Sequence, residues 1–389
     1  MNSAYLLFLL LHFSALSFAL SIQDDFASDK KIVRMQIKHR HKRGSIYVKS
    51  RKLTIDTDYL ASVEVGTPGQ SLNFLIDSGS PEMWMTSSLC DSSCSTSDAY
   101  FDPSKSSTFL SNNTEWIMTY AGGQSVSGIF GKDVVNIGGI HVIDQTIGLL
   151  VNSDIDLTFD GIMGVGRSVD SDYGTLTPFD NMIAQQLISE PLYTARFVKV
   201  PDDDNGGEFI FGAIDYSKVL GDITYSPITE NNHWQINCSG LYLGQESLTP
   251  GDNYTSFCAL DTGSPGLLLY SHLADAIHSR IPGAGYYDTD ETRDGSAVIY
   301  TVPCDTDNSL GPLVYEIESR KFSIPISDIV GDPIEGDEDN CLSSIGGNSD
   351  PGTAWILGSL FMERYLIIYN QGTEPPTVGI AYRTDVDYN

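Results

Sequence analysis

Basic residues are scarce in this chain: 22 Lys and Arg stand against 51 Asp and Glu in 389 residues, for a formal net charge of −29. So acidic a surface repels phosphate, which excludes nucleic acid as a partner. Histidine is scarcer still; beyond Arg43 only His141, His233, His272 and His278 remain. None sits in a base motif. The turn Asp77-Ser78-Gly79-Ser80-Pro81, superficially like a nucleophile turn, therefore lacks the base that a serine hydrolase needs. Long apolar runs are absent after Leu20, and the chain ends at Asn389 without an apolar tail, so no membrane anchor is expected. Long helical periodicities are also rare, whereas Gly, Ser, Thr and Tyr are abundant. That balance points to an all-β chain with many turns, long enough for two domains.

Cysteines number six, all beyond the first 20 residues, which suits an oxidising compartment. Six cysteines allow 15 connectivities; sequence position favours the neighbours Cys90 with Cys94, Cys238 with Cys258, and Cys304 with Cys341. Zinc is the competing use, but no second His or Cys pair completes the half-site at Cys90 and Cys94, and no metal is expected. The acidic run Pro201-Asp202-Asp203-Asp204-Asn205 reads as a solvated connection between halves rather than a calcium loop.

The single long apolar run, Tyr5 to Leu20, is followed closely enough by small residues, Ser17-Phe18-Ala19, to read as a secretory signal over 1–19. Residues 20–43 then carry 7 Lys/Arg against 3 Asp/Glu and end in Lys42-Arg43; everything after carries 15 against 48. This reversal of sign reads as a pro-segment that lies on the acidic remainder and is cut after Arg43, although a solvated basic tail has the same composition. Export to the medium is expected, with a vacuole as second destination.

Phe74-Leu75-Ile76-Asp77-Ser78-Gly79-Ser80-Pro81 has an echo in Ala259-Leu260-Asp261-Thr262-Gly263-Ser264-Pro265, with the aspartates 184 positions apart. Apolar-apolar-Gly segments follow at Ile162-Met163-Gly164 and Ile356-Leu357-Gly358, 87 and 97 residues after their aspartates. The repetition reads as an internal duplication that brings two aspartate turns to one site. Strands are expected at Tyr59 to Val65 and Ser71 to Ile76, a hairpin at Trp116 to Tyr120 and Val126 to Ile137, and helices at Pro178 to Ser189 and Ser271 to Ile281. Two carboxylates forced together cannot both ionise cheaply, so one proton is shared, and the pair can serve as base and acid for water attack on an amide. The hydroxyls of Ser78, Ser80, Thr262 and Ser264 are suited to fixing the carboxylates, and Gly79 and Gly263 to letting the backbone turn beneath them.

From about Tyr59 to Tyr382 the chain resembles the pepsin-like aspartic proteases, in particular their secreted fungal members. The likeness rests on both Asp-Ser/Thr-Gly turns, Trp84, the Tyr120 hairpin and the two apolar-apolar-Gly segments, in order. It implies two β-barrel-like lobes related by a pseudo-two-fold axis, here 44–205 and 206–389, with a cleft between them. It implies one catalytic aspartate per lobe, Asp77 and Asp261, and no cofactor. Tyr120 and Gly122 would lie on a flap over an extended peptide that also meets Gly79, Gly263 and Ser264, and Trp84 would bond the Tyr120 hydroxyl. The pro-segment would act as an intramolecular inhibitor, its lysines shielding the aspartates, in a monomeric enzyme. The flap departs from the family pattern: Tyr120-Ala121-Gly122-Gly123-Gln124-Ser125-Val126-Ser127-Gly128 is one residue longer and has no acid after the tyrosine. Bulky apolar residues are accordingly expected around the scissile bond. Ser359 stands where the family often has Asp, which makes for a less acidic optimum. Asn112 and Asn253 are glycosylation candidates in polar stretches, whereas Asn237 abuts Cys238. The alternative is an inactive secreted relative that holds peptides in the cleft; both aspartate turns are intact, which speaks against it.

Overall fold

The computed structural model describes residues 32–40, 46–48, 51–53, 58–90, 94, 99–120, 125–153, 157, 159–199, 206–229, 233–249, 255–287, 298–348 and 354–388. The signal over 1–19, the flap residues Gly122 and Gly123, the acidic connection at 201–205 and Asn253 lie outside them.

Alternation of apolar residues builds the first half. In the strand Gln70–Asp77, Leu72, Phe74 and Ile76 are buried, and in the neighbouring Asp58–Val65 the same holds for Ala61, Val63 and Val65. Six strands, Asp58–Val65, Gln70–Asp77, Gly161–Gly164, Met83–Thr86, Ile140–Ser153 and Ser125–Ile137, close into a barrel where Glu64 and Val65 pair with Asn136 and Val135. The barrel is part of a 13-stranded sheet that continues through Gly207–Phe211 and Leu192–Phe197 to the C-terminal strands Tyr365–Asn370 and Thr377–Arg383. Leu192–Phe197, from the first half of the chain, thus pairs with the last quarter and joins the two halves.

The second half repeats the first in strand direction. Gln70–Asp77 runs parallel to Gly161–Gly164, which is antiparallel to Met83–Thr86, which is parallel to Ile140–Ser153. Ser256–Leu260, Trp355–Leu357, Leu267–Tyr270 and Ile345–Asn348 follow the same parallel, antiparallel, parallel succession. The architecture is the all-β, bilobal pepsin-like fold, and the duplication legible in the aspartate turns extends to the sheets beneath them.

Three disulfides join Cys90 to Cys94, Cys238 to Cys258 and Cys304 to Cys341, the neighbour pairing. Cys238–Cys258 spans two paired strands, in which Ile236 faces Cys258 and Cys238 faces Ser256. Both helices are shorter than the apolar spacing suggests. Pro178–Ala184 starts on a capping box between Thr177 and Asp180 and stops because Gln186 takes a left-handed conformation, φ 58°. Ser271–His278 gives way to single turns that carry the chain to Ile281. Asn112 is not in a turn between elements but on the strand Leu110–Thr119, exposed, where the register shifts between Ser111 and Glu115. There the Thr114 N–H donates to its side chain at 3.0 Å.

Within the basic stretch, Val33–Arg40 is a strand in the sheet interior, antiparallel to both Gly207–Phe211 and Asp58–Val65. Val33, Met35 and Ile37 point into the core, while Arg34 meets Glu208 and lies 3.1 Å from Asp215. Lys38 is exposed, and among the described residues no lysine pairs with Asp77 or Asp261; Lys30, Lys31 and Lys42 lie outside them.

Candidate active site

Parallel pairing of each aspartate strand with an apolar-apolar-Gly strand fixes where the carboxyl emerges. Gly164 stands opposite Asp77, whose carbonyl accepts from Val165 N–H at 2.7 Å; the Asp261 N–H donates to Leu357 O at 3.1 Å. Both turns then fold on themselves in the same way, with Gly79 N–H donating to Asp77 Oδ1 at 2.8 Å and Gly263 N–H to Asp261 Oδ1 at 2.9 Å. Glycine is required at both places for a second reason. A Cβ on Gly79 would meet the Asp261 carboxyl, and one on Gly263 the Asp77 carboxyl. Each aspartate therefore rests over the other turn's glycine, with the two carboxyls in hydrogen-bonding reach of each other.

Their surroundings differ. Ser80 Oγ donates to Asp77 Oδ2. Ser264 supplies backbone instead, its N–H reaching Asp261 O at 3.3 Å and its carbonyl accepting from Ser359 N–H at 2.8 Å. Burial of the Asp261 carboxyl, and next the charge of Asp77, push its pKa well above the ordinary carboxylate range. The two carboxyls accordingly share one proton and titrate as a unit. Ser359 Oγ donates to Pro265 O at 2.8 Å and is spent on the turn rather than on a carboxylate.

Ser78 and Thr262 hold the turns to one another, each accepting the other's backbone N–H at its side-chain oxygen. Trp84 Nε1 donates to Tyr120 OH at 2.7 Å. Tyr120 ends the Leu110–Thr119 side of the hairpin and packs with Trp84, Trp116 and Phe159 in a cluster distinct from the main core. Among the described residues no group of three or more His, Cys, Asp or Glu is arranged to hold a metal ion, and no helix is long and apolar enough to cross a membrane.

Residues without any local signal also serve the site. Tyr193 and Tyr369 face each other in paired strands, stacked at 4.5 Å, and form a floor with Trp234. Tyr369 OH donates to Leu260 O at 3.1 Å, just ahead of Asp261; Tyr193 OH donates to Val165 O at 2.9 Å, just past Gly164. Glu82, two residues from both Ser80 and Trp84, is buried. Its sequence signal was a carboxylate inside the otherwise apolar run 81–85, which the motif reading passed over.

Two aspartate turns facing across a pseudo-two-fold axis in a bilobal β fold define a two-carboxylate hydrolytic site. The family model for eukaryotic aspartyl proteases matches residues 58–383. Rhizopuspepsin-4 of Rhizopus niveus is 34% identical over 331 residues, which cover 84% of this chain and 77% of the relative. Syncephapepsin of Syncephalastrum racemosum is 33% identical, with 84% and 78% covered, and gastricsin of Rattus norvegicus is 31% identical, with 84% and 81% covered. The chain belongs to the eukaryotic aspartyl protease family, and its class is that of an aspartic-type endopeptidase.

Proposed function

We propose that Asp77 and Asp261 hydrolyse peptide bonds by activating a water between them. Asp77, fixed by Ser80 and the Gly79 N–H, takes a proton from the water. The proton on Asp261 polarises the scissile carbonyl and then moves toward the departing amine. Tyr120 and its hairpin close over an extended substrate, and water is excluded as they do so. The observation that carries this reading is the seating of each carboxyl over the opposite glycine, which forces one shared proton. Bulky apolar residues flank the scissile bond, and with Ser359 engaged by Pro265 O the optimum is less acidic than an additional carboxylate would make it.

The protein is exported behind the signal at 1–19 and processed after Arg43, with 20–43 restraining the enzyme beforehand. The charge reversal at Arg43 supports this reading, as does the contact of Arg34 with Glu208 and Asp215. Loss of Val33–Arg40 would leave two strands with unpaired backbone groups, so a later segment must take its place. Ile46 and Val48, apolar residues two apart just after the cut, have the spacing required.

The test is peptide hydrolysis at acid pH by the form cut after Arg43. Asp77→Asn and Asp261→Asn should each lower kcat by about 10³-fold or more, and a statine-type inhibitor, but not a fluorophosphonate, should block the wild type. Unchanged hydrolysis by Asp77→Asn would end this reading.

A further inference from the structure

Asn-x-Ser/Thr sequences begin at Asn112, Asn237 and Asn253, and the structure separates the two that it describes. Asn112 lies where the strand pairing shifts, and its Oδ1 already accepts from the Thr114 N–H at 3.0 Å. Asn237 lies in regular pairing. Its strand, Gln235–Cys238, forms the edge of a five-stranded sheet and runs antiparallel to Ser256–Leu260, with Asn237 directly opposite Phe257. Leu260 N–H donates to Trp234 O at 3.0 Å, whereas Gln235 O turns outward to accept from Thr229 N–H at 2.8 Å. Alternation from there makes Asn237 and Phe257 a pair without mutual backbone bonds. Such pairs bring side chains closest, with Cβ atoms about 4.5–5.5 Å apart.

Both side chains face solvent. Phe257 is 43% exposed, and among the described residues no other ring packs on it. The Asn237 amide is exposed as well and, among the described residues, makes no hydrogen bond. A single exposed phenylalanine is ordinary. This one stands opposite the atom to which a sugar would attach, and the C–H face of a pyranose is apolar enough to take a ring out of water.

Cys238, between Asn237 and Ser239, is no obstacle. Alternation turns it into the core, fully buried, on the other side of the strand from Asn237. Its partner Cys258 follows by 20 residues and enters an oxidising compartment later, so Asn237 is open before the disulfide can close. The order matters, because in the folded protein Ser239 Oγ donates to Glu316 O at 3.2 Å, 77 residues further on. The sequence must be read while the chain is still extended.

We propose that Asn237 is an N-glycosylation site whose first sugar lies on the Phe257 ring and covers the open edge of this sheet. The proposal rests on the export reading given above. The sugar donor is an oligosaccharide carried on a lipid pyrophosphate. Asn237 Nδ2 bonds to the anomeric carbon as the bond from that carbon to the pyrophosphate oxygen breaks; the lipid pyrophosphate leaves with the bonding pair, and the amide proton passes to solvent. A branched sugar on an edge strand also bars a second chain from pairing there.

The test uses the full chain secreted from a eukaryotic host, as wild type, Asn237→Gln, Phe257→Ser and the double variant. N-glycans are released enzymatically in heavy-oxygen water, which converts an occupied Asn to an Asp carrying one heavy oxygen, and the peptides are weighed. Wild type should carry the label at 237, a result that needs no variant to fold. Phe257→Ser should carry it too, since attachment precedes folding. Asn237→Gln should lower the thermal midpoint by about 1–3 °C. Phe257→Ser should lower it by a similar amount, but not in the Asn237→Gln background. Secreted protein without label at 237 would overturn the proposal and leave export standing, whereas a chain that never reaches the medium would overturn the export reading and this one with it. A Phe257→Ser loss equally large in the Asn237→Gln background would overturn the stack.

Discussion

Ser78 and Thr262 exchange hydrogen bonds across the pseudo-two-fold axis: the Ser78 N–H donates to Thr262 Oγ1 at 2.8 Å, and the Thr262 N–H donates to Ser78 Oγ at 2.9 Å. Each hydroxyl also donates into the strand that leads to the opposite aspartate, Ser78 to Leu260 O at 2.8 Å and Thr262 to Ile76 O at 2.6 Å. Both residues are buried, so neither N–H has water to turn to. The four bonds fix the distance between the carboxyls.

Removing one hydroxyl should therefore harm catalysis more than a single lost bond suggests. Thr262→Val keeps the volume but leaves the Ser78 N–H and the Ile76 carbonyl unpaired, at a cost of about 1–3 kcal/mol for each buried orphan. We expect Thr262→Val to lower kcat at least about tenfold with KM little changed, since the bonds serve carboxyl geometry rather than substrate binding. Parallel kinetics and urea unfolding check this. A destabilised protein with unchanged kcat would assign the pair to stability alone.

The strand Val33–Arg40 is held by two kinds of force, and magnitudes decide between them. Val33, Met35 and Ile37 are each buried, worth roughly 1.5–3 kcal/mol apiece. Arg34 is nearly half exposed, its side chain at 45%, and an ion pair of that kind contributes on the order of 1 kcal/mol even with Glu208 buried beneath it. In the uncut chain, Ile37→Ala should lower unfolding stability by about 2–4 kcal/mol, and Arg34→Ala by no more than about half as much. Urea denaturation ranks them, and the reverse order would show that charge holds the strand.

Much of this site was legible before any fold was known, because its chemistry is written locally. Asp77-Ser78-Gly79 and Asp261-Thr262-Gly263 carry their carboxyl, hydroxyl and glycine within three residues, and the duplication announced that they belong together. Neighbouring cysteines gave the disulfides for the same reason. What escaped was non-local. Tyr193 and Tyr369 meet through strand pairing across 176 residues, and neither strand differs in pattern from any other buried strand. Helix ends escaped too, since the apolar spacing at Ile183 and Leu187 continues past the left-handed Gln186 that ends the first helix. The basic stretch was read from charge, yet its alternating Val33, Met35 and Ile37 were the better guide to its place in the sheet.

His278 should limit stability in acid. Its ring stacks on Tyr300 at 3.9 Å, with Nδ1 2.8 Å from Ala274 O and Nε2 2.9 Å from Ser343 Oγ. Burial lowers its pKa to about 4, against the opposing effects of the Ala274 carbonyl and the Asp275 charge. The unfolded chain, titrating near 6.5, binds the proton more tightly than the folded state. The stability that the neutral ring provides is therefore complete above about pH 6.5 and lost as pH falls through about 4, a change of about 3 kcal/mol. His278→Phe keeps the stack and cannot titrate. Its unfolding midpoint should vary less with pH across this interval than the wild type's, and an identical slope would remove His278 from the account.

Glu363 sets the opposite limit. Tyr59 OH, from the first half of the chain, donates to its Oε1 at 2.8 Å, while Arg383 donates to its backbone carbonyl at 2.7 Å. Burial raises the carboxyl's pKa to about 7, although the Tyr59 bond and the charges of Lys199 and Arg383 pull it down. Here the folded state binds the proton more tightly than the unfolded chain, whose glutamate titrates near 4.5. The contribution is complete below that value and is lost as pH rises through about 7, a change of about 3 kcal/mol. Glu363→Gln retains an acceptor for Tyr59 and no longer ionises. Thermal midpoints at successive pH values should fall toward neutrality for the wild type and stay more nearly level for Glu363→Gln. Because Tyr59 and Glu363 come from opposite ends of the sequence, the loss should also appear as a weakened junction. In the wild type, limited proteolysis between the halves should accelerate above pH 7 while remaining slow in Glu363→Gln. If both proteins are cut at the same rate across that range, the Tyr59–Glu363 contact does not govern the neutral limit.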